Sequence, residues 1–337
     1  MRVDASGYSS SADAAGLAAA AAERAGYDRW WSVETQVDPF IACAVATERT
    51  ERVEIGTGIA VALARNPMTV ALQANDLQAL SQGRFILGLG SQVKAHITKR
   101  YSMPWSKPAA RMREFVLAVR AIWHTWASGE PLKFRGEFFT HTLMTPFFNP
   151  GPARHGNPPI VLGGVGPLMT EVAGEVADGL LCHVFSTERY LREVTLPALE
   201  RGRAKAGKTL EGFDISGPAL IVARDSEAEL AAGVQAARQQ IAFYGSTPAY
   251  RQVLDLHGWG ELHERLNAMA ARGEWERMAD AVDDDVLHAF AIVGTPEEAI
   301  AELKRRYGDV ITRIAFPVPE DADPDRWRSL FAELRSK

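Results

Sequence analysis

The chain has 337 residues, a formal charge of −5, 47% apolar residues and 23% charged residues. Such ordinary globular values exclude disorder or a collagen-like state as the main state. The acidic balance leaves no broad basic field, so nucleic acid is not expected as a partner. In chain order, residues 2–5 open as a first strand, and an Ala-rich run over 12–25 follows. Asp13, Glu23 and Arg24 within that run argue against a signal-peptide core. Residues 29–34 (RWWSVE), 53–61 (VEIGTGIAV), 84–90 (RFILGLG), 159–163 (PIVLG), 179–183 (GLLCH), 215–223 and 311–317 (ITRIAFP) are short apolar runs. They are nearly continuous rather than alternating, as parallel strands covered on both faces are.

Helical patterns lie between these runs. Asp38-Pro39, Asn66-Pro67, Thr295-Pro296 and Asp323-Pro324 each set a capping side chain before a proline. The cap accepts a backbone N–H, and proline in the first turn loses no hydrogen bond. Thr295 with Glu298 adds a capping box. Met112, Phe115, Val116, Val119, Ile122, Trp123 and Trp126 form one apolar stripe at helical period, read as core packing. Asp283-Asp284-Asp285 reads as a solvated helix start.

Counted with residues 2–5, the strands number eight, each followed by a helix. That rhythm predicts a closed (β/α)8 TIM barrel, with a doubly wound open sheet as the alternative that counting leaves open. A barrel uses about 250 residues, so roughly 90 are surplus. Two regions break the rhythm: about 91–157, which holds a helix and an extended excursion over 133–145, and about 243–288, which looks helical. No repeat or low-complexity linker divides the chain, so 1–337 is expected to be a single domain. Cys43 and Cys182 are too far apart for a disulfide framework or a cysteine zinc site, and the expectation is a reducing, cytoplasmic setting. No apolar stretch of about 18 residues exists, so no membrane partner is expected. The histidines show no paired metal-ligand spacing, so no metal is expected.

In such a barrel, function sits on loops at the C-terminal ends of the strands. That rule nominates Glu34, Thr35 and Gln36; Thr57, Gly58, Ile59 and Ala60; Ser91, Gln92, Lys94 and His96; Gly163, Gly164, Val165, Gly166 and Pro167; and His183, Phe185 and Ser186. The glycine cluster lets a phosphate approach the backbone, and Pro167 then opens a helix whose free N–H groups favour an anion. The same cluster also fits a plain tight connection. Gly56 and Gly58 inside a strand mark either a ligand's close approach or a barrel bend. Glu34 offers a carboxylate for acid–base work or for a ring N–H, and equally a partner for an arginine. His96 and His183 are candidates for catalysis on the same footing as ordinary loop histidines. Trp105, Phe138 and Phe139 fit an apolar pocket as well as they fit core or interface.

Five stretches carry a family resemblance: 25–40 (AGYDRWWSVETQVDPF), 55–97 with its ALSQGRFILGLGS run, 103–123, 159–190 with AGEVADGLL, and 238–254 (RQQIAFYGSTPAYRQVL). On these the chain resembles the bacterial luciferase-like monooxygenases, most closely their coenzyme F420-dependent oxidoreductase branch. The resemblance implies a flavin or deazaflavin ring at the mouth, backed by Gly58, Ile59 and Ala60 around a non-prolyl cis bond at Gly58–Ile59. It implies that Gly163, Gly164, Val165 and Gly166, with Ser91 and Gln92, hold the ribityl and phosphate groups, and that Glu34 bonds the ring's polar edge. Thr35, His96 and Tyr244 fall on the substrate side, and Glu34, His96 and His183 are the catalytic candidates. The branch's Asp-His pair is Glu34-Thr35 here, and Ser91-Gln92-Val93 stands where sugar-phosphate dehydrogenases carry a glutamate. Alcohol oxidation through that histidine is therefore not expected. The reading is an F420-dependent oxidoreductase moving a hydride to or from a small organic substrate. Its alternatives are an FMN-dependent two-component monooxygenase and a non-catalytic flavin-binding barrel. A homodimer is expected, since family members pair through barrel helices.

Overall fold

The strands close on themselves. The computed structural model describes residues 1–318 and 323–336. In chain order the first half holds β1 (Arg2–Gly7), α1 (Ala12–Ala25), β2 (Arg29–Ser32), α2 (Pro39–Glu48), β3 (Glu54–Thr57), β4 (Ala60–Val61), α3 (Pro67–Leu80), β5 (Phe85–Gly90) and α4 (Pro108–Ser128). Then come β6 (Phe134–Arg135), β7 (Thr140–His141), β8 (Ile160–Gly164), α5 (Pro167–Val176), β9 (Gly179–Cys182), α6 (Glu188–Tyr190) and α7 (Leu196–Lys205). The rest is β10 (Asp214–Ser216), β11 (Leu220–Ala223), α8 (Glu227–Gly245), α9 (Arg251–Leu256), α10 (Gly260–Ala271), α11 (Asp284–Phe290), β12 (Ala291–Gly294), α12 (Pro296–Tyr307), β13 (Arg313–Ala315) and α13 (Pro324–Arg335). Parallel pairing runs β1–β2–β3–β5–β8–β9–β10–β13 and back to β1, with β4 continuing along β5. This is the (β/α)8 barrel, and the open doubly wound sheet is excluded by its closure.

The proline signals are helix starts. Asp38, Asn66, Thr295 and Asp323 each accept a backbone N–H of the turn they open, and Thr295 with Glu298 forms the capping box. Asp283 likewise caps α11 by accepting from Val286 N. The apolar stripe of α4 is buried throughout.

Two strand expectations need correction. The run 53–61 is two pieces, β3 and β4, parted at Gly58-Ile59. Just before the break, Thr57 Oγ1 donates to Gly88 O (2.7 Å) and accepts from Gly88 N (2.9 Å). The run 215–223 also breaks. Gly217 N makes a barrel-side bond to Arg313 O (2.8 Å), and Pro218, having no N–H, cannot continue the ladder. The chain then leaves the barrel as β11, which pairs in parallel with β12, a strand the sequence reading did not anticipate. The second excursion is thus rooted at Leu220, earlier than residue 243. Its Ile241, Val253, Leu254, Leu266, Met278 and Phe290 form a second core with Phe185 and Tyr190 from the segment after β9.

Register sorts the barrel's inside into layers. Asp4 pairs with Arg29 and Arg29 with Glu54; two residues on, Ser6 pairs with Trp31 and Trp31 with Gly56. The lower layer is a closed ion network. Asp4 takes Arg313 Nε (3.0 Å), Arg313 Nη2 (2.7 Å) and Trp31 Nε1 (3.0 Å), while Arg29 and Arg313 both reach Glu54. Asp4 and Arg313 are both 0% exposed. Burial opposes the charge on Arg313, but its bond to Asp4 together with the charges of Asp4, Glu54 and Asp214 outweighs this and raises its pKa. The middle layer is Trp31, packed with Ile86 and Val161. A Cβ on Gly56 would overlap the Trp31 ring, and one on Gly88 would overlap the Thr57 carbonyl. Gly56 is therefore bare for an indole of this chain rather than for a ligand.

Candidate functional site at the barrel mouth

Above Trp31 the strands end in glycine and small residues, and the mouth opens. The Gly58–Ile59 peptide is cis. Ile59 leans across the mouth: a Cβ on Gly90 would lie 2.7 Å from its Cγ1, and one on Gly163 3.0 Å from its Cγ2. From the other side Ile59 packs against the cluster of Val61, Leu63 and Ile97, which Tyr101, Met103 and Trp105 also join. The first excursion thus holds the platform in place. Of the three aromatics considered there, Trp105 lies against this cluster. Phe139 instead packs edge-on to Phe115 of α4 (5.6 Å between centroids). The amides of Phe138 and Phe139 donate to Glu114, so this pair belongs to the outer wall.

Glu34 is fully engaged. Its Oε2 accepts from Val61 N (2.7 Å) and Arg65 Nη1 (2.7 Å), and its Oε1 accepts from Tyr101 OH (2.8 Å). Arg65 also reaches Asp38 (2.9 Å). Of the two readings of Glu34, the arginine partner is the one in place: it ties β4 to the first excursion. Thr35 offers its carbonyl to Arg100 Nη2 (2.8 Å). His96 opens a π-helical turn, His96–Arg100, and is exposed.

Ser91 and Gln92 close β5. Gln92 has φ 57°, and its Oε1 accepts from Val93 N (3.0 Å) while Ser91 Oγ donates to Gln92 O (3.1 Å). A left-handed non-glycine residue is a small strain of the kind that gathers at functional loops. Gly163 and Gly164 pair with Leu181 and Cys182 of β9. Gly166 is the N-cap of α5, with no side chain bonded to the first-turn N–H groups and Pro167 following. Those N–H groups are left for an anion. A Cβ on Gly166 would stand 3.0 Å from Gln252 Nε2, so an amide from α9 also faces the loop.

The far wall is aromatic. His183 sits edge-on to Tyr244 (4.7 Å between centroids) and tilted on Tyr250 (4.6 Å). Its Nδ1 accepts from Phe185 N (3.0 Å). Burial drops its pKa to about 4, so the ring is neutral at pH 7, with its proton on Nε2. Tyr8 follows β1 on the inward alternation begun by Asp4 and continued by Ser6, and both Ser6 and Tyr8 are exposed in the open mouth. The sequence reading missed Ser6, Tyr8, Tyr250 and Gln252. The first two were visible as period two counted on from Asp4; the others lie in the 238–254 stretch that carries the resemblance, with no local pattern to single them out.

Other candidates take structural roles. His263 Nδ1 bonds Gly245 O (2.7 Å) and His257 Nε2 bonds Thr187 Oγ1 (2.8 Å). Burial pushes the Cys182 thiol up to about 12 and raises Cys43 as well, so neither is an activated nucleophile. Among the described residues no His, Cys, Asp and Glu group is placed to hold a metal, and no helix is long and apolar enough to cross a membrane.

Residues 1–313 match the family model described as luciferase-like monooxygenase. The chain belongs to that family. An uncharacterized protein of Mycobacterium tuberculosis is 51% identical over 297 residues, covering 88% of this chain and 87% of the relative. The 5,10-methylenetetrahydromethanopterin reductase of Archaeoglobus fulgidus is 28% identical, covering 92% and 90%. Among solved structures, the coenzyme F420-dependent tetrahydromethanopterin reductase of Methanopyrus kandleri superposes with a TM-score of 0.77 at 22% identity, covering 98% of this chain and 97% of that one. That likeness speaks for the fold.

Proposed function

We propose that this luciferase-like protein binds coenzyme F420 at the barrel mouth and passes a hydride between the deazaflavin and a small organic substrate. The observation that carries the reading is the platform. Ile59 lies across two glycines and opens onto the uncapped start of α5, which suits a flat ring joined to a phosphate. Gly58, Ile59 and Ala60 would back the ring, and Gly163, Gly164, Val165 and Gly166 with Ser91 and Gln92 would take the ribityl and phosphate groups. The cofactor supplies the redox chemistry when bound, and the chain positions it and shapes the substrate pocket. The reductase name of the Archaeoglobus fulgidus relative supports a hydride-transferring enzyme, and coenzyme F420 stands in the name of the Methanopyrus kandleri neighbour. The family's own description keeps an FMN-dependent monooxygenase as the second reading. Exposed Leu17, Ile41 and Leu72 on the neighbouring helices α1, α2 and α3 support pairing with a second copy.

Titration of the purified chain with F420, FMN and NADP tests the choice. Tight binding of F420 without FMN is the expected result. Oxygen uptake dependent on reduced FMN would overturn it, and no binding of either would leave a non-catalytic barrel.

A further inference from the structure

The far wall of the mouth carries hydrogen-bond donors and no free base. Tyr8 comes from the end of β1, His183 from the end of β9, Tyr244 from the end of α8 and Tyr250 from the short turn after it. The rings form one surface: His183 touches Tyr244 and Tyr250, whose own centroids are 6.0 Å apart, and Phe185 lies behind both. Burial holds the His183 ring neutral at pH 7 and raises the pKa of Tyr8 and Tyr250. Among the described residues no hydrogen bond to His183 Nε2 or to the Tyr250 hydroxyl is present, and the Tyr244 hydroxyl faces that of Tyr8.

Resting on the hydride-transfer reading above, we infer that this wall is the substrate subsite and takes an uncharged, largely apolar carbonyl compound. Its oxygen is held by His183 Nε2–H and the Tyr244 hydroxyl. The ring faces supply apolar area, and the donors stand where an oxygen would need them.

The same chemistry assigns the proton's route. Glu34 is taken by three donors, and His183 has its other nitrogen bonded to Phe185 N with burial holding it neutral. Tyr244 is therefore the group that gives the carbonyl oxygen its proton in reduction and takes it back in the reverse reaction. The reduced cofactor, when bound, supplies the hydride. As hydride joins the carbonyl carbon, the C=O π pair moves onto oxygen. Tyr244 gives that oxygen its proton and recovers one through Tyr8. Tyr8 is 73% exposed, and its pKa is raised by desolvation of its hydroxyl end and then by the facing Tyr244. Two electrons and two protons' worth of hydrogen are added, and the protein returns to its starting state.

Ligand-observed NMR titration of the cofactor-free full chain tests the subsite. The probes are acetophenone, ethylbenzene of the same shape without the acceptor, and benzoate with a charge. Acetophenone should bind about tenfold tighter than either, on the scale of one or two hydrogen bonds. Tyr244→Phe and His183→Phe should each cost acetophenone about three- to tenfold and leave ethylbenzene unchanged. Tyr244→Phe removes one oxygen and keeps the ring packing, so its result stands if His183→Phe folds poorly. Equal binding of acetophenone and ethylbenzene, tightest binding of benzoate, or a ketone affinity indifferent to Tyr244→Phe overturns the inference. Loss of the cofactor reading would show separately, in the F420 and FMN titrations without ketone.

Discussion

The two ends of this barrel are made from the same strands and are opposite in character. At the N-terminal end, Asp4, Arg29, Glu54, Asp214 and Arg313 interlock through ion pairs, sealed from the mouth by the Trp31 indole. At the C-terminal end the strands finish in glycines, and the carboxylate present, Glu34, is spent on holding a neighbouring segment. The lower end is filled by this network, with Arg313 Nη1 left buried and without a hydrogen bond. At the upper end the neutral His183 ring packs among tyrosines. Stability and chemistry are thus divided along each strand, as barrels of this class allow. The division predicts that damage below unfolds the protein while damage above disarms it.

The largest effect should come from Arg313→Ala. It leaves Asp4 buried and unpaired, at a cost of about 3–5 kcal/mol in urea unfolding. Adding Asp4→Leu with Arg313→Met instead should recover most of that loss, because two well-packed apolar groups need no partner. If Arg313→Ala unfolds at the wild-type midpoint, the lower network is not the stabilising element.

Next comes pH. His183 binds its proton near pH 4 when folded and near 6.5 when unfolded. Between those values the unfolded chain holds more protons. Stability should therefore be complete above about pH 6.5 and fall as the pH drops toward 4, by about 2–3 kcal/mol in all from this group. His183→Phe should flatten that part of the stability–pH curve, and an unchanged curve would mean the ring is not held neutral by burial.

Gly56→Ala drives a methyl into the Trp31 ring and should cost about 1–3 kcal/mol by thermal melting. The smallest effect on stability belongs to Gly166→Val. Its neighbour there is the flexible end of Gln252, so the melting temperature should stay close to wild type, within about 0.5 kcal/mol. Affinity for the phosphate-bearing cofactor should fall at least about tenfold, because a branched side chain would crowd the first-turn N–H groups. Equal binding by the two proteins would place the phosphate elsewhere.

The helix starts were legible because a cap and a proline act over three or four residues, and Asp38, Asn66 and Thr295 do what their spacing says. The strands were legible as apolar runs, but their ends were not. Pro218 turned one run out of the barrel into β11, whose partner β12 lies 71 positions on, as Leu220 opposite Ala291. Gly163 and Gly166 could be marked from a glycine-rich turn before a helix, whereas the roles of Gly56 and Glu34 could not. Each had two sound local readings, and only the neighbours decided between them: an indole for Gly56, and three donors from β4, Arg65 and Tyr101 for Glu34.

By itself, then, the sequence determined the alternation of strand and helix, the capped helix starts, the family and the glycine loop. These depend on residues close together in the chain or on whole-length similarity. Tertiary structure alone decided that Asp4 meets Arg313 across 309 positions, and that Tyr8 from the first strand meets Tyr244 from the second excursion. Barrel closure brings the first and last strands side by side, and the excursion's own packing carries a tyrosine to the mouth. Neither distance is written in any local pattern.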